Sequence, residues 1–207
     1  MRVPAIVFEP ELVHCPACYF SSKRGAEICE RCGFSDAAVL QKIPFQAPQM
    51  APLVDLENRL EPSEANKISK AIRRFEKRFL QFRASVHLTR LPEGGDVREF
   101  GYWLFNHCSF AEGETPEDRA GTLLILIDRE SRSAGLTVGY RLDPFLGDDT
   151  GLRLFGETKD GFTDGDYAGG VTDFLTAVAN HFSKIAEPAS YAAERYRRAP
   201  RPDLFAK

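Results

Sequence analysis

The sequence has little apolar continuity. Its longest unbroken apolar run is Leu123-Leu124-Ile125-Leu126-Ile127, far short of the roughly 20 residues that a membrane-spanning helix needs. It has no basic excess either. The 27 Lys and Arg stand against 30 Asp and Glu, a formal net charge of −3. Chains built to hold a nucleic-acid backbone carry surplus positive charge, so nucleic acid is not an expected partner. The start, MRVPAIVFEPELVHCP, meets charge and proline at once and has no long apolar segment. No secretory signal is read there, and the cytoplasm is the expected location. Neither G-x-S-x-G nor H-E-x-x-H occurs, and no P-loop or G-x-G-x-x-G is found. What is present, 43% hydrophobic and 28% charged over 207 residues, is the composition of a globular domain with room for one small module.

Four of the five cysteines fall in two pairs, Cys15-Pro16-Ala17-Cys18 and Cys29-Glu30-Arg31-Cys32. Each C-x-x-C sets two sulfurs on one tight turn, and two such turns complete a tetrahedron of thiolates around zinc. Gly33 follows the second pair, as a left-handed corner requires. The segment is too small to bury a core, so the metal must supply its folding energy. Two disulfides are disfavoured in a chain without an export signal. A redox pair normally opens a helix, and none is patterned here. Zn²⁺ held by Cys15, Cys18, Cys29 and Cys32 is therefore the expected structural centre, with iron the rival metal. Cys108 is left over. It neighbours His107 on a predicted helix, where the two side chains diverge by about 100°, and packing is its expected role.

Residues 1–35 read as a zinc ribbon. Residues 36–52, with Pro44, Pro48 and Pro52 and little periodicity, read as a linker. The main domain is expected over 53–187, and 188–207 as an Arg-rich flexible tail. Glu61-Pro62-Ser63-Glu64 opens a helix, continued by Ala65, Ile68, Ile72, Phe75, Phe79 and Phe82 at spacings of three and four. A strand is expected over 84–91, where Val86 and Leu88 alternate with His87 and Thr89. A helix capped by Asp96 follows, then a doubly covered strand over 121–128 and an antiparallel strand over 136–140. Helices are expected over 143–154 and 168–185, separated by an acidic loop. The order describes helices covering a small mixed sheet, an α/β fold.

A strand–helix–strand crossover from 84–91 to 121–128 makes these strands parallel. Their carboxyl ends, with Glu93, Asp96 and Asp128, then share the edge where open α/β sheets bind ligands. Asp55 and Asn58 are placed at the same edge. A second acidic group, Asp148, Asp149, Asp160, Asp164 and Asp166, lies among glycines and suits Ca²⁺ or Mg²⁺. It is not an EF-hand, because the twelfth position from Asp160 is Val171.

Residues 53 to about 187 resemble a TPM domain. The likeness rests on Val54-Asp55 with Asn58 and Leu60, Leu91-Pro92-Glu93-Gly94, the aliphatic run 123–127, Val138-Gly139-Tyr140-Arg141-Leu142, Asp148-Asp149, and Gly165-Asp166-Tyr167-Ala168-Gly169. The resemblance implies a three-layer α/β/α sandwich. Known relatives include thylakoid-lumen proteins linked to photosystem repair and acid phosphatase activity, bacterial divalent-metal binders and a receptor accessory protein. Carried over by position, Asp55, Asp128, Asp148, Asp149 and Asp166 become candidate cation-site residues, with Asp128 and Asp55 catalytic if the chain is a phosphatase. Two functions are carried forward. One is a metal-binding interaction module whose ribbon docks a partner protein. The other is a metal-assisted phosphomonoesterase.

Overall fold

A computed structural model describes residues 12–23, 25–42, 49–110 and 114–198. Strands β1 (Leu12–His14) and β2 (Ser21–Lys23) pair antiparallel. A helix, α1 (Asp36–Lys42), follows. The main domain runs β3 (Leu53–Asp55), α2 (Pro62–Arg78), β4 (Arg83–Thr89), α3 (Val97–His107), α4 (Pro116–Arg119), β5 (Thr122–Asp128), β6 (Ser133–Val138), α5 (Asp143–Glu157), α6 (Lys159–Thr163) and α7 (Tyr167–Arg198). Its sheet has the order β3-β4-β5-β6. The first three strands are parallel and β6 is antiparallel.

The sheet is covered on both faces. All seven residues of β5 are buried, and strand alternation divides them. Leu123, Ile125 and Ile127 join Ile68, Ile72 and Phe75 of α2 and Val171, Phe174 and Val178 of α7 in one core. Leu124 and Leu126 join Phe100, Trp103 and Leu104 of α3 in the other. The result is the expected α/β/α arrangement. Local chemistry starts its helices where the sequence places them. Glu64 accepts from the Glu61 backbone N–H at 2.9 Å, half of a capping box ahead of α2. Asp96 accepts from the N–H groups of Arg98 and Glu99 at the head of α3.

The structure differs from the sequence reading in four places. Leu53–Asp55 is a third parallel strand, too short to show a period. The stretch read as a linker contains α1, and Val39 and Met50 are buried in the second core. The acidic loop is largely helical: α5 continues to Glu157 and α6 spans 159–163. Finally, α7 continues to Arg198 rather than ending near 185. Residues 1–11 of the expected ribbon and 199–207 of the expected tail lie outside the described residues.

Candidate functional site

The cysteine region is built from one motif used twice. In the first half the Tyr19 N–H donates to the Cys15 carbonyl at 2.8 Å, and the Cys15 N–H to Phe20 at 2.9 Å. In the second, the Gly33 N–H donates to Cys29 at 2.8 Å, and the Cys29 N–H to Phe34 at 2.9 Å. Tyr19 and Gly33 are both left-handed, at φ 57° and 74°. The sequence carries this repeat as Cys-x-x-Cys-Tyr-Phe and Cys-x-x-Cys-Gly-Phe, and the tyrosine in place of glycine in the first half obscures it.

These turns bring four sulfurs together. All lie within 4.8 Å of one another, and Cys15–Cys32 and Cys18–Cys29 are each 3.7 Å apart. That is far beyond a disulfide bond. A thiolate tetrahedron with bonds of about 2.3 Å has edges of about 3.8 Å, so the quartet fits a four-coordinate ion. The backbone N–H of Cys32, working against burial, brings the Cys29 thiol down to about 6. Burial pushes the Cys15 thiol up, and Cys32, despite the Phe34 backbone N–H, is pushed up by burial and the neighbouring sulfurs. Sulfurs this close oppose one another's ionisation, and a bound cation relieves that opposition.

The ribbon rests on α3. The Arg98 guanidinium lies over the Tyr19 ring at 5.4 Å. Phe34 meets Tyr102 edge-on at 5.7 Å, and Asp36 contacts His107 Nε2 at 3.1 Å. Arg98 and Tyr102 are four residues apart, so they stand on one helix face. Between ribbon and domain lies a cleft of about 530 Å³ whose lining includes Val13, Pro16, Ile28, Phe34, Tyr102 and Tyr140. Ile28 is 60% exposed and Tyr140 40%. Sequence reasoning missed this face. Its one signal is Tyr102, an aromatic off the buried stripe of α3.

The aspartates divide between faces. Asp55 is level with Leu88 and Ile127, so it stands on the α2/α7 side. Its Oδ2 accepts from the Leu60 N–H at 2.7 Å, while Oδ1 is buried without a partner. Asp128 is level with Thr89, on the α3 side. It is buried and engaged by the N–H groups of Leu91 (3.4 Å) and Glu130 (3.1 Å) and the Ser131 hydroxyl (2.6 Å). This is the bonding of a carboxylate that shapes the β5–β6 turn, and Asp128→Ala should lower stability by about 2 kcal/mol in urea titration.

Asp166 lies ahead of α7 and caps it, accepting from the Gly169 N–H at 2.8 Å. A Cβ at Gly169 would strike that carboxylate, and one at Gly161 would come 2.7 Å from the Gly170 Cα. The glycines around Asp166 therefore have a packing reason. Asp149 is exposed on α5, a helix whose early Phe145 meets Phe82 at the opposite sheet edge, 5.7 Å between rings. The side chain of Asp148 lies outside the described residues. Among the described residues, Asp55, Asp128, Asp149 and Asp166 do not form a group of three whose ligand atoms lie within 4.8 Å of one another. Asp55 and Asp166 share a side of the sheet, and Asp128 faces away from both.

No helix among the described residues is long and apolar enough to cross a membrane. A search of curated proteins returns no match. Among solved structures, the chain is similar to the N-terminal domain of a P. gingivalis protein determined by solution NMR. The two share 14% identity with a TM-score of 0.53, over 77% of this chain and 95% of that one. The BA42 protein of Bizionia argentinensis, also solved by NMR, matches at 19% identity and TM-score 0.50, over 62% of this chain and 85% of that one. These likenesses carry the fold. The family model described as TPM domain matches residues 53–181, and the chain, with its sandwich and its Val138–Leu142 and Gly165–Gly169 motifs in place, belongs to the TPM-domain family.

Proposed function

We propose that this protein is a metal-stabilised interaction module, in which a zinc ribbon and the TPM domain together present a docking cleft for a partner protein. The carrying observation is the cleft between ribbon and domain, whose lining includes the exposed Ile28 and Tyr140. Tyr19 and Phe20 are exposed on the ribbon itself, and Leu40 on α1. Grouped apolar exposure marks a protein-binding surface. Zinc acts here as a fold-holding ion rather than a Lewis acid, because four thiolates leave no open position. Panning a random peptide library against the full chain tests this reading. Enriched peptides should bind wild type and lose at least about tenfold affinity for Ile28→Asp. Peptides that bind both proteins equally, or no enrichment, would count against it.

The second reading is a phosphomonoesterase assisted by Ca²⁺ or Mg²⁺. It is favoured by the partnerless buried oxygen of Asp55 at the carboxyl edge, with Asp166 on the same side. Turnover of a generic phosphate ester with Mg²⁺, Mn²⁺ or Ca²⁺, lost in Asp55→Asn, would support it. No turnover with any of the three metals removes it.

A further inference from the structure

Arg129 stands just past β5, at the carboxyl edge of the sheet, where its N–H donates to the Thr89 carbonyl at 3.2 Å. Its guanidinium lies 5.3 Å from the centroid of the Tyr167 ring. Tyr167 is buried in the α2/α7 core, so Arg129 turns to that side. Its Nη1 is buried and has no hydrogen-bond partner. Other arginines in the fold are spent: Arg98 on Asp96 and Arg119 on the Cys108 carbonyl. A buried cationic donor left unbonded is costly.

We propose that Arg129, oriented by Tyr167, is the anion-binding group of a small oxyanion site outside the carboxyl ends of β3 and β5. A guanidinium offers parallel N–H donors that match two oxygens of a phosphate or a carboxylate. The tyrosine face beneath it attracts the guanidinium and holds it at this position. The helix end beside it does not compete, because the Asp166 carboxylate already takes the Gly169 N–H. Asp55 adds a second feature. It stands on the same face, and its Oδ1 also lacks a partner. The register places its Cα about 12 Å from that of Arg129, two strands across and two residues back. No ion pair joins the two charges among the described residues. The ligand that suits both is a small molecule with an oxyanion at one end and a cation or N–H donor at the other. Only binding is assigned, and it does not depend on whether the ribbon cleft docks a protein.

The test is a titration of the metal-loaded full chain, followed by backbone amide NMR, with inorganic phosphate and with acetate at matched ionic strength. Saturable shifts at residues 129–131 and 166–168 are expected from at least one anion. The one that saturates at lower concentration names the oxyanion class. Arg129→Gln should weaken that binding at least about tenfold, and Arg129→Lys, which keeps the charge but not the fork, by an intermediate factor. Shifts that map elsewhere, a linear response to both anions, or equal affinity in Arg129→Gln overturn the proposal. If Arg129→Gln does not fold, the location of the wild-type shifts decides.

Discussion

Replacing Gly139 by alanine should destabilise the domain by roughly 3 kcal/mol or more, lowering the melting temperature by roughly 6–12 °C. A Cβ there would fall on the carbonyl oxygen of Ala120, 2.6 Å from its carbon and 2.8 Å from the Arg119 oxygen. These are backbone atoms and cannot swing aside. Nor can the strand recede, because the Gly139 N–H donates to Thr122 and the Arg141 N–H to Ala120, each at 2.9 Å. The clash sits where β6 leaves the sheet beside the start of β5, the most buried strand. Gly156→Ala is the matched control. No heavy atom lies within 4 Å of its added Cβ, and in a helix alanine is preferred by up to about 1 kcal/mol. Equal melting temperatures for wild type and Gly139→Ala would show that the close approach of β6 to Ala120 is wrong.

Acid should weaken the fold through His87. This residue lies in the middle of β4, level with Val54 and Leu126 on the neighbouring strands. It is 1% exposed, and neither ring nitrogen has a partner. Burial disfavours the imidazolium and holds the ring at about 4 against an ordinary 6.5. The sign follows from linkage. Between pH 6.5 and 4 the unfolded chain binds a proton that the native state refuses, so stability falls as pH falls through this window. The loss approaches about 3 kcal/mol once pH reaches 4. Above pH 6.5 the group contributes no slope. Exposed carboxylates titrate in the same range, so the informative quantity is a difference. Urea titrations of wild type and His87→Leu should diverge steadily below pH 6.5, with the variant the less acid-sensitive. Parallel pH profiles would show that His87 is protonated in the native state.

These two residues also show what the sequence reveals and what it hides. The apolar run 123–127 declares a doubly covered strand, and the spacing of Ile68, Ile72 and Phe75 declares an amphipathic helix, because each period is local. Alternation in β4 is equally visible, yet it implies a wet face for His87 and Thr89. That face is dry because α3, the next element along the chain, folds back over it, and alternation within β4 cannot show that. The cysteine quartet is legible because four ligands in two tight turns need no tertiary knowledge. The carboxylates are not. Topology places Asp55 and Asp128 at one edge correctly, but a single residue of register sends them to opposite faces. Arg129 and Arg141 are both legible as cations available to a phosphate, but nothing near Arg129 in sequence says that Tyr167 will lie beneath it.

In the proposed module the four sulfurs act as one metal centre that holds the ribbon against α3. Native mass spectrometry of the full chain, purified without chelator, tests this directly. The predicted result is a mass raised by one zinc ion, lost in Cys29→Ser, with faster amide exchange along residues 97–107 in that variant as the ribbon leaves α3. A metal-free mass for the wild-type chain, with all four thiols freely alkylated and α3 exchange unchanged in the variant, would contradict it.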